Sequence, residues 1–286
     1  MARPGTGDAR TVRKVRLGKT GEEVSKLGFG VSGPHGSQLV GRNESVSLIR
    51  KAIQAGYTVF DTAPAYGDGE AESRLGLALK NQDADALFIM TKAGVQSAGM
   101  GRKRRDFTPD AIELSLQDSL RRFALGHADA LFLHGPDPSE LTDALLQRLD
   151  LLRSVGAFRF LGICGRGEEL DAGIASGLFD LMMAPCPPDA DEAQLHRFER
   201  ANKAGIGTIA IEVMHGLKRV GLPKTGGDIW YAARQLRSAF TAERKTEPVE
   251  AEAALRTALE RADVDVVMTT TTRADNLAAN AALAGA

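Results

Sequence analysis

Short apolar runs alternate with amphipathic stretches along nearly all of this 286-residue chain, and that alternation restricts its fold more than any other feature. Strand-like runs fall at 57–61, 86–91, 129–133, 158–163, 179–184, 206–211 and 264–268, with a further short one near 28–31. Helical periodicity falls near 44–55, 70–80, 109–123, 139–154, 167–176, 190–203, 228–240, 248–261 and 273–284. In the first of these helices Val46, Ile49, Ala52 and Ile53 share one face. Thr108 before Pro109 and Ser139 are predicted N-caps. Eight strand–helix units in about 250 residues favour a single (β/α)8 TIM barrel over a doubly wound sheet. Ahead of them, runs at 12–17 and 24–27 flank Lys19-Thr20-Gly21, which predicts a β-hairpin. No linker or composition shift divides the α/β pattern, so 1–286 is expected to be one domain. Residues 1–11, polar at first and Gly-rich, are expected to be flexible.

Polar residues stand where the apolar runs end. Asp61 closes Tyr57-Thr58-Val59-Phe60, with Tyr66 just beyond; Lys92 closes Leu87-Phe88-Ile89-Met90-Thr91; His134 closes Ala130-Leu131-Phe132-Leu133. Barrel active sites lie at strand C-terminal ends, so an acid, a phenol, an ammonium and an imidazole can share one rim there. The 36 basic and 37 acidic residues balance to −1, which gives no reason to expect nucleic acid or an acidic membrane as partner. No apolar run is long enough to span a bilayer, and no apolar signal core opens the chain. Two cysteines, Cys164 and Cys186, are too few for a disulfide framework and lack zinc-ligand spacing, so a reduced, cytoplasmic setting is the simplest reading. Core or pocket wall is the simpler role for both.

With these residues the chain resembles the aldo-keto reductase family over nearly all its length, from Leu17-Gly18-Lys19-Thr20-Gly21 to Asn280. The segment Phe60-Asp61-Thr62-Ala63-Pro64-Ala65-Tyr66-Gly67, then Glu72-Ser73-Arg74-Leu75-Gly76, is similar to that family's signature, and Thr91-Lys92 and Leu133-His134 follow in the family's order. The resemblance implies that the N-terminal hairpin closes the barrel bottom. It implies NADPH, with NADH possible, as the source of hydride for an aldehyde or ketone substrate. Tyr66 would be the general acid, with its pKa lowered by Lys92; Asp61 would hold Lys92, and His134 would orient the carbonyl. Thr270, Thr271, Thr272 and Arg273, with Asn280 beyond, look like the family's adenosine-phosphate segment, where Arg273 would meet a 2′-phosphate and Asn280 adenine.

The chain departs from the family pattern where the nicotinamide carboxamide is usually held. Cys164-Gly165 stands in place of a Ser-Asn pair, and Met183 in place of a Gln. Up to three side-chain hydrogen bonds, each worth about 0.5–1.5 kcal/mol, would be absent. Ile211 falls where a residue packs on the nicotinamide, and Glu212 where a charge would not favour a pyrophosphate. Two other readings therefore stay open: a binding or regulatory barrel without productive nicotinamide binding, and a cofactor-free lyase or isomerase using the same acid–base residues. Two loops are expected to shape the substrate site. Residues 93–107 carry Arg102-Lys103-Arg104-Arg105, and 213–228 carry His215, Lys218, Arg219 and Lys224. Basic loops favour an anionic substrate or cofactor phosphates, although a solvated run explains the first more simply.

Overall fold

Strands covered on both faces read as continuous apolar runs, and every residue of Phe88–Ala93 and of Val59–Asp61 is buried. The structure, a computed structural model, describes residues 12–99, 102–214, 223–239 and 250–285, with side chains of 235–239 not described. The expectation for 1–11, and His215, Lys218 and Arg219, lie outside those residues. The chain begins with an antiparallel hairpin, β1 (Lys14–Arg16) and β2 (Glu23–Ser25), and continues through β3 (Leu27–Gly30), β4 (Val59–Asp61) and β5 (Phe88–Ala93). A second hairpin, β6 (Val95–Ser97) and β7 (Lys103–Arg105), precedes β8 (Ala128–His134), β9 (Phe158–Cys164), β10 (Leu181–Pro185), β11 (Gly207–Ile211) and β12 (Val266–Thr269). The intervening helices are α1 (Arg42–Gln54), α2 (Glu70–Leu79), α3 (Pro109–Phe123), α4 (Asp143–Ser154), α5 (Glu168–Ser176), α6 (Glu192–Lys203), α7 (Gly226–Ala239), α8 (Ala251–Glu260) and α9 (Ala274–Ala284). Eight strands close a barrel in the order β10-β11-β12-β3-β4-β5-β8-β9, and every barrel pairing is parallel. This is the (β/α)8 barrel that the alternation predicts. Among the described residues no helix is long and apolar enough to cross a membrane.

Two apolar layers hold the barrel. Leu27, Phe29, Phe60, Ile89 and Leu131 face outward and pack under the helices, while Val59, Phe88, Met90, Ala130, Phe132, Met183 and Met268 fill the interior. Leu17 and Val24 of the hairpin belong to the interior layer, so β1–β2 plugs the barrel bottom as expected. Large interior side chains need small neighbours: a Cβ on Gly28 would lie 2.3 Å from Met268 Sδ, and one on Gly162 2.3 Å from the Phe132 ring.

Carboxylates near the N-termini of β8, β10 and β12 tie each of these strands to the one before it in the barrel. Asp129 Oδ2 accepts from Ile89 N (2.8 Å), Asp180 Oδ2 from Leu161 N (2.8 Å), and Asp265 Oδ2 from both Thr208 N and Gly18 N (3.0 Å). Polar groups at this end stitch the barrel; those at the other end face the mouth.

Three local expectations change. Ser139 is not the N-cap of α4; Asp137 caps a short 3-10 turn at Pro138–Glu140, and Thr142 caps α4 by accepting from Leu145 N. Thr108 occupies the N-cap position of α3, but its hydroxyl donates to Asp106 (2.7 Å) and caps nothing. The stretch 93–107 contains the β6–β7 hairpin, with Arg105 paired to Glu140 at 2.6 Å.

Asp129→Ala would leave the buried Ile89 N–H without an acceptor. It is expected to cost about 1–3 kcal/mol, lowering Tm by a few degrees in a thermal melt, with ligand affinity at the opposite end unchanged.

Candidate active site

Lys92 reaches into the barrel from the end of β5, where the apolar interior would ordinarily reject a charge. It is 2% exposed, and its Nζ donates to Asp61 Oδ1 (2.5 Å), Asp61 Oδ2 (2.6 Å) and Thr62 O (3.0 Å). All three ammonium protons are thus satisfied from the end of β4, the adjacent strand. Burial alone would lower the Lys92 pKa, but the Asp61 carboxylate and the neighbouring Tyr66 and Cys164 outweigh it and hold Lys92 above the ordinary lysine value.

Tyr66 sits in the turn after β4. Its amide donates to Ala63 O (3.0 Å), its carbonyl accepts from Ala71 N (3.2 Å), and Lys92 Nζ lies 5.2 Å from its ring centroid. Gly67 follows at φ +67°, and a Cβ there would lie 2.0 Å from Gly36 O, so only glycine lets this turn seat against the β3–α1 loop. Behind it, fully buried Glu72 accepts from Thr91 Oγ1 and Arg122 (both 2.7 Å), and Arg74 donates to Glu70, Val40 O and Ser37 O. The signature residues after Tyr66 therefore fix the position of α2 beneath it. The expected lowering of the Tyr66 pKa by Lys92 is present but does not prevail. Burial is the larger effect, and the phenol is pushed up to about 12.

His134 ends β8, half-buried, directly opposite Cys164 in the β8–β9 register. Burial, then the charges of Lys92, Lys103, Arg105 and Arg166, hold its pKa down at about 3, so the imidazole is neutral. Its Nδ1 is buried with no hydrogen-bond partner among the described residues. Lys103–Arg105 of the β6–β7 hairpin are all exposed, as a solvated run would be, and their charges still reach His134.

The rim continues through the positions expected to meet a nicotinamide. Cys164 and Met183 are register partners buried in the interior layer, and Gly165 N donates to Met183 O (3.2 Å). Burial raises the Cys164 thiol to about 11, so it is a wall atom and not a nucleophile. Where a side chain on residue 165 would project, the Glu169 side chain lies 2.3 Å from the Cβ position. Ile211 is half-buried against the interior layer. Glu212, at φ +58°, takes a bidentate pair from Arg166 (2.6 and 3.1 Å), with Arg234 3.6 Å away. This bridge joins the ends of β9 and β11 across β10 and neutralises the acid that stood against a phosphate in the sequence. Neither arginine was marked in the sequence, because their partners are 46 and 22 residues distant.

After β12 the chain turns through Thr270–Arg273 into α9. Thr270 Oγ1 lies 3.2 Å from Ser32 Oγ, and Thr271 Oγ1 accepts from Arg273 N (3.1 Å). Thr272 packs against Gly227 at the start of α7. The amides of Thr271 and Thr272 donate to no group of the described residues, and α9 adds the free N–H groups of its first turn. Arg273, 44% exposed, has its Nη1 4.0 Å from Asp228 Oδ2. The Asn280 side chain is half-buried on α9 with no hydrogen bond to the described residues. Such a donor-rich turn suits a phosphate. The rim as a whole thus has a donor-rich turn after β12 and a protonated phenol in the turn after β4. At β9–β10 it has sulfur and backbone where the family pattern has amide side chains.

Known proteins agree with this architecture. The model of the aldo/keto reductase family matches residues 26–284. L-galactose dehydrogenase of Arabidopsis thaliana is 30% identical over 240 residues, 79% of this chain and 72% of that protein. The probable aldo-keto reductase 1 of Glycine max is 30% identical over 154 residues, 53% of this chain but only 44% of that protein's length. The holo form of an aldo-keto reductase from Bacillus halodurans superposes with a TM-score of 0.78 at 23% identity, covering 96% of this chain and 91% of that one, which is likeness of fold. With a family match over nearly the whole barrel, the chain belongs to the aldo/keto reductase family of oxidoreductases.

Proposed function

We propose that the protein reduces an aldehyde or ketone to an alcohol with NADPH, Tyr66 giving the proton. The observation that carries this reading is the buried Lys92–Asp61 pair set 5.2 Å below the Tyr66 ring. When bound, NADPH supplies the hydride. As the carbonyl oxygen gains charge, Tyr66 Oη transfers its proton there and the tyrosinate left behind is stabilised by the Lys92 cation. A phenol with pKa near 12 is fully protonated at neutral pH, and an alkoxide is the stronger base, so the transfer runs downhill. Neutral His134 can donate one hydrogen bond to the same oxygen and fix its approach. The substrate is taken to be a small molecule, in a cytoplasmic setting, with no nucleic acid or membrane partner. Relatives named L-galactose dehydrogenase and D-threo-aldose 1-dehydrogenase make sugars and other hydroxylated carbonyl compounds the first substrates to screen, in both directions.

The amide-free nicotinamide side favours two rivals: a binding or regulatory barrel without productive nicotinamide binding, and a cofactor-free lyase or isomerase using the same acid–base residues. Fluorescence titration with NADPH and NADH separates the readings. Saturable NADPH binding with carbonyl turnover supports the reductase; absence of binding at millimolar cofactor sinks it. Tyr66→Phe is expected to fold normally and lose about 10²–10⁴ in kcat, and retained turnover would show the acid is misassigned. Asp61→Asn leaves Lys92 a buried charge with a weaker partner; about 3 kcal/mol of stability, read by urea unfolding, should go with the activity. Arg273→Ala should weaken NADPH about fivefold more than NADH, a modest ratio because Asp228 already stands beside the guanidinium. Equal effects on both would remove Arg273 from the 2′-phosphate.

A further inference from the structure

His35 lies in the loop after β3, 236 residues from the turn it touches, and is fully buried. Its Nε2 is 3.0 Å from Thr271 O and its Nδ1 2.7 Å from Ser45 Oγ. A carbonyl can only accept, so Nε2 carries the proton and Nδ1 accepts from the Ser45 hydroxyl. Burial holds the ring neutral, with its pKa down at about 4, so this tautomer persists at working pH. One residue earlier, Tyr231 of α7 donates from Oη to Thr270 O (3.0 Å). Two consecutive carbonyls of the turn are therefore held by side chains from two separate elements.

Peptide planarity gives these contacts a consequence. In a trans peptide the N–H points opposite to the C=O of the preceding residue, and the chain contains no cis bond among the described residues. Fixing Thr270 O towards Tyr231 aims the Thr271 N–H away from Tyr231. Fixing Thr271 O towards His35 likewise aims the Thr272 N–H away from His35. Those are the two amides that donate to no group of the described residues. The run Thr269-Thr270-Thr271-Thr272 contains no glycine, so the orientation of its peptides is imposed by outside partners and the β-branched backbone together.

We infer that His35 and Tyr231 are positioning residues for the phosphate of the adenosine half of the dinucleotide: each locks one carbonyl of the 270–272 turn so that the Thr271 and Thr272 amides are presented to the anion. The inference rests on the functional reading above, in that it takes this turn as the phosphate seat. Neither residue touches the reacting atoms, and removing either should affect the adenosine end of the ligand and leave the nicotinamide end alone.

The test is isothermal titration of the full chain with two probes, 2′,5′-ADP and reduced nicotinamide mononucleotide, alongside NADPH. His35→Phe keeps the ring volume without a donor; His35→Gln keeps a donor near the Nε2 position; Tyr231→Phe removes only the hydroxyl. Kd for 2′,5′-ADP and for NADPH should rise about tenfold in His35→Phe and in Tyr231→Phe, the net worth of about one hydrogen bond. His35→Gln should recover most of that affinity, and the mononucleotide should bind all variants alike. A thermal melt identifies any variant that fails to fold, and Tyr231→Phe removes too little to unfold the barrel. Unchanged 2′,5′-ADP affinity in folded variants, or equal losses for both probes, would overturn the inference. A wild type that binds 2′,5′-ADP and shows these losses but performs no carbonyl reduction would refute the reductase reading while leaving this one standing. A wild type that binds neither probe removes both.

Discussion

The Lys92–Asp61 ion pair is what the mouth of the barrel is built around. A lone ammonium in an apolar interior would shed its proton, and a lone carboxylate would take one up. Placed on neighbouring strands, with Thr62 O as the third acceptor, the two keep their charges where water is excluded. That fixes a cation beneath Tyr66 whose field is not screened as it would be at the surface. Behind burial, which is the larger effect at both groups, the same charge works against the raised pKa of Tyr66 and adds to the lowered pKa of His134.

Tyr66 and His134 reach that cation by different structural routes. His134 is simply the last residue of a paired strand. Tyr66 stands in a turn, and turns need support. The Gly67–Gly36 contact seats it on one side, while buried Glu72 holds α2 to β5 and α3 on the other. The pattern after Tyr66 in the sequence is thus mostly scaffolding for a single phenol. On the far side of the rim, sulfur and backbone from Cys164, Met183 and Gly165 give a less directional surface. The Arg166–Glu212 bridge spans it from above.

Much of this was legible in the sequence, because barrel strands buried on both faces announce themselves and their last residues are counted off directly. Asp61, Lys92 and His134 were placed by that logic alone. The turn at 270–273 was legible as a threonine-rich helix start. What holds it was not: His35 reads as one histidine in a Gly-Pro-His-Gly loop, and its partner lies at the other end of the chain. Ion pairs such as Arg166–Glu212 are invisible for the same reason, since charged side chains carry no periodicity. Ser139 lies outside α4, and Thr108 holds the expected N-cap position of α3 without capping through its hydroxyl, for another reason. Nearby Asp137 and Asp106 offer these hydroxyls a stronger acceptor, so proximity to a helix start did not decide which side chain capped it.

The barrel is sewn shut by the two ends of the chain. β3 pairs with β12, the plugging hairpin donates Gly18 N to Asp265, and Arg13 N bonds Ala284 O. During synthesis, β3 therefore emerges with one hydrogen-bonding edge that must wait until β12, some 240 residues later, has been made. Until β12 arrives the sheet is an open curl with an exposed edge, and a barrel that closes through so distant a pairing is at its most aggregation-prone in that interval. A late-closing seam of this kind makes truncation near the C-terminus far more damaging to folding than its distance from Lys92 and Asp61 would suggest.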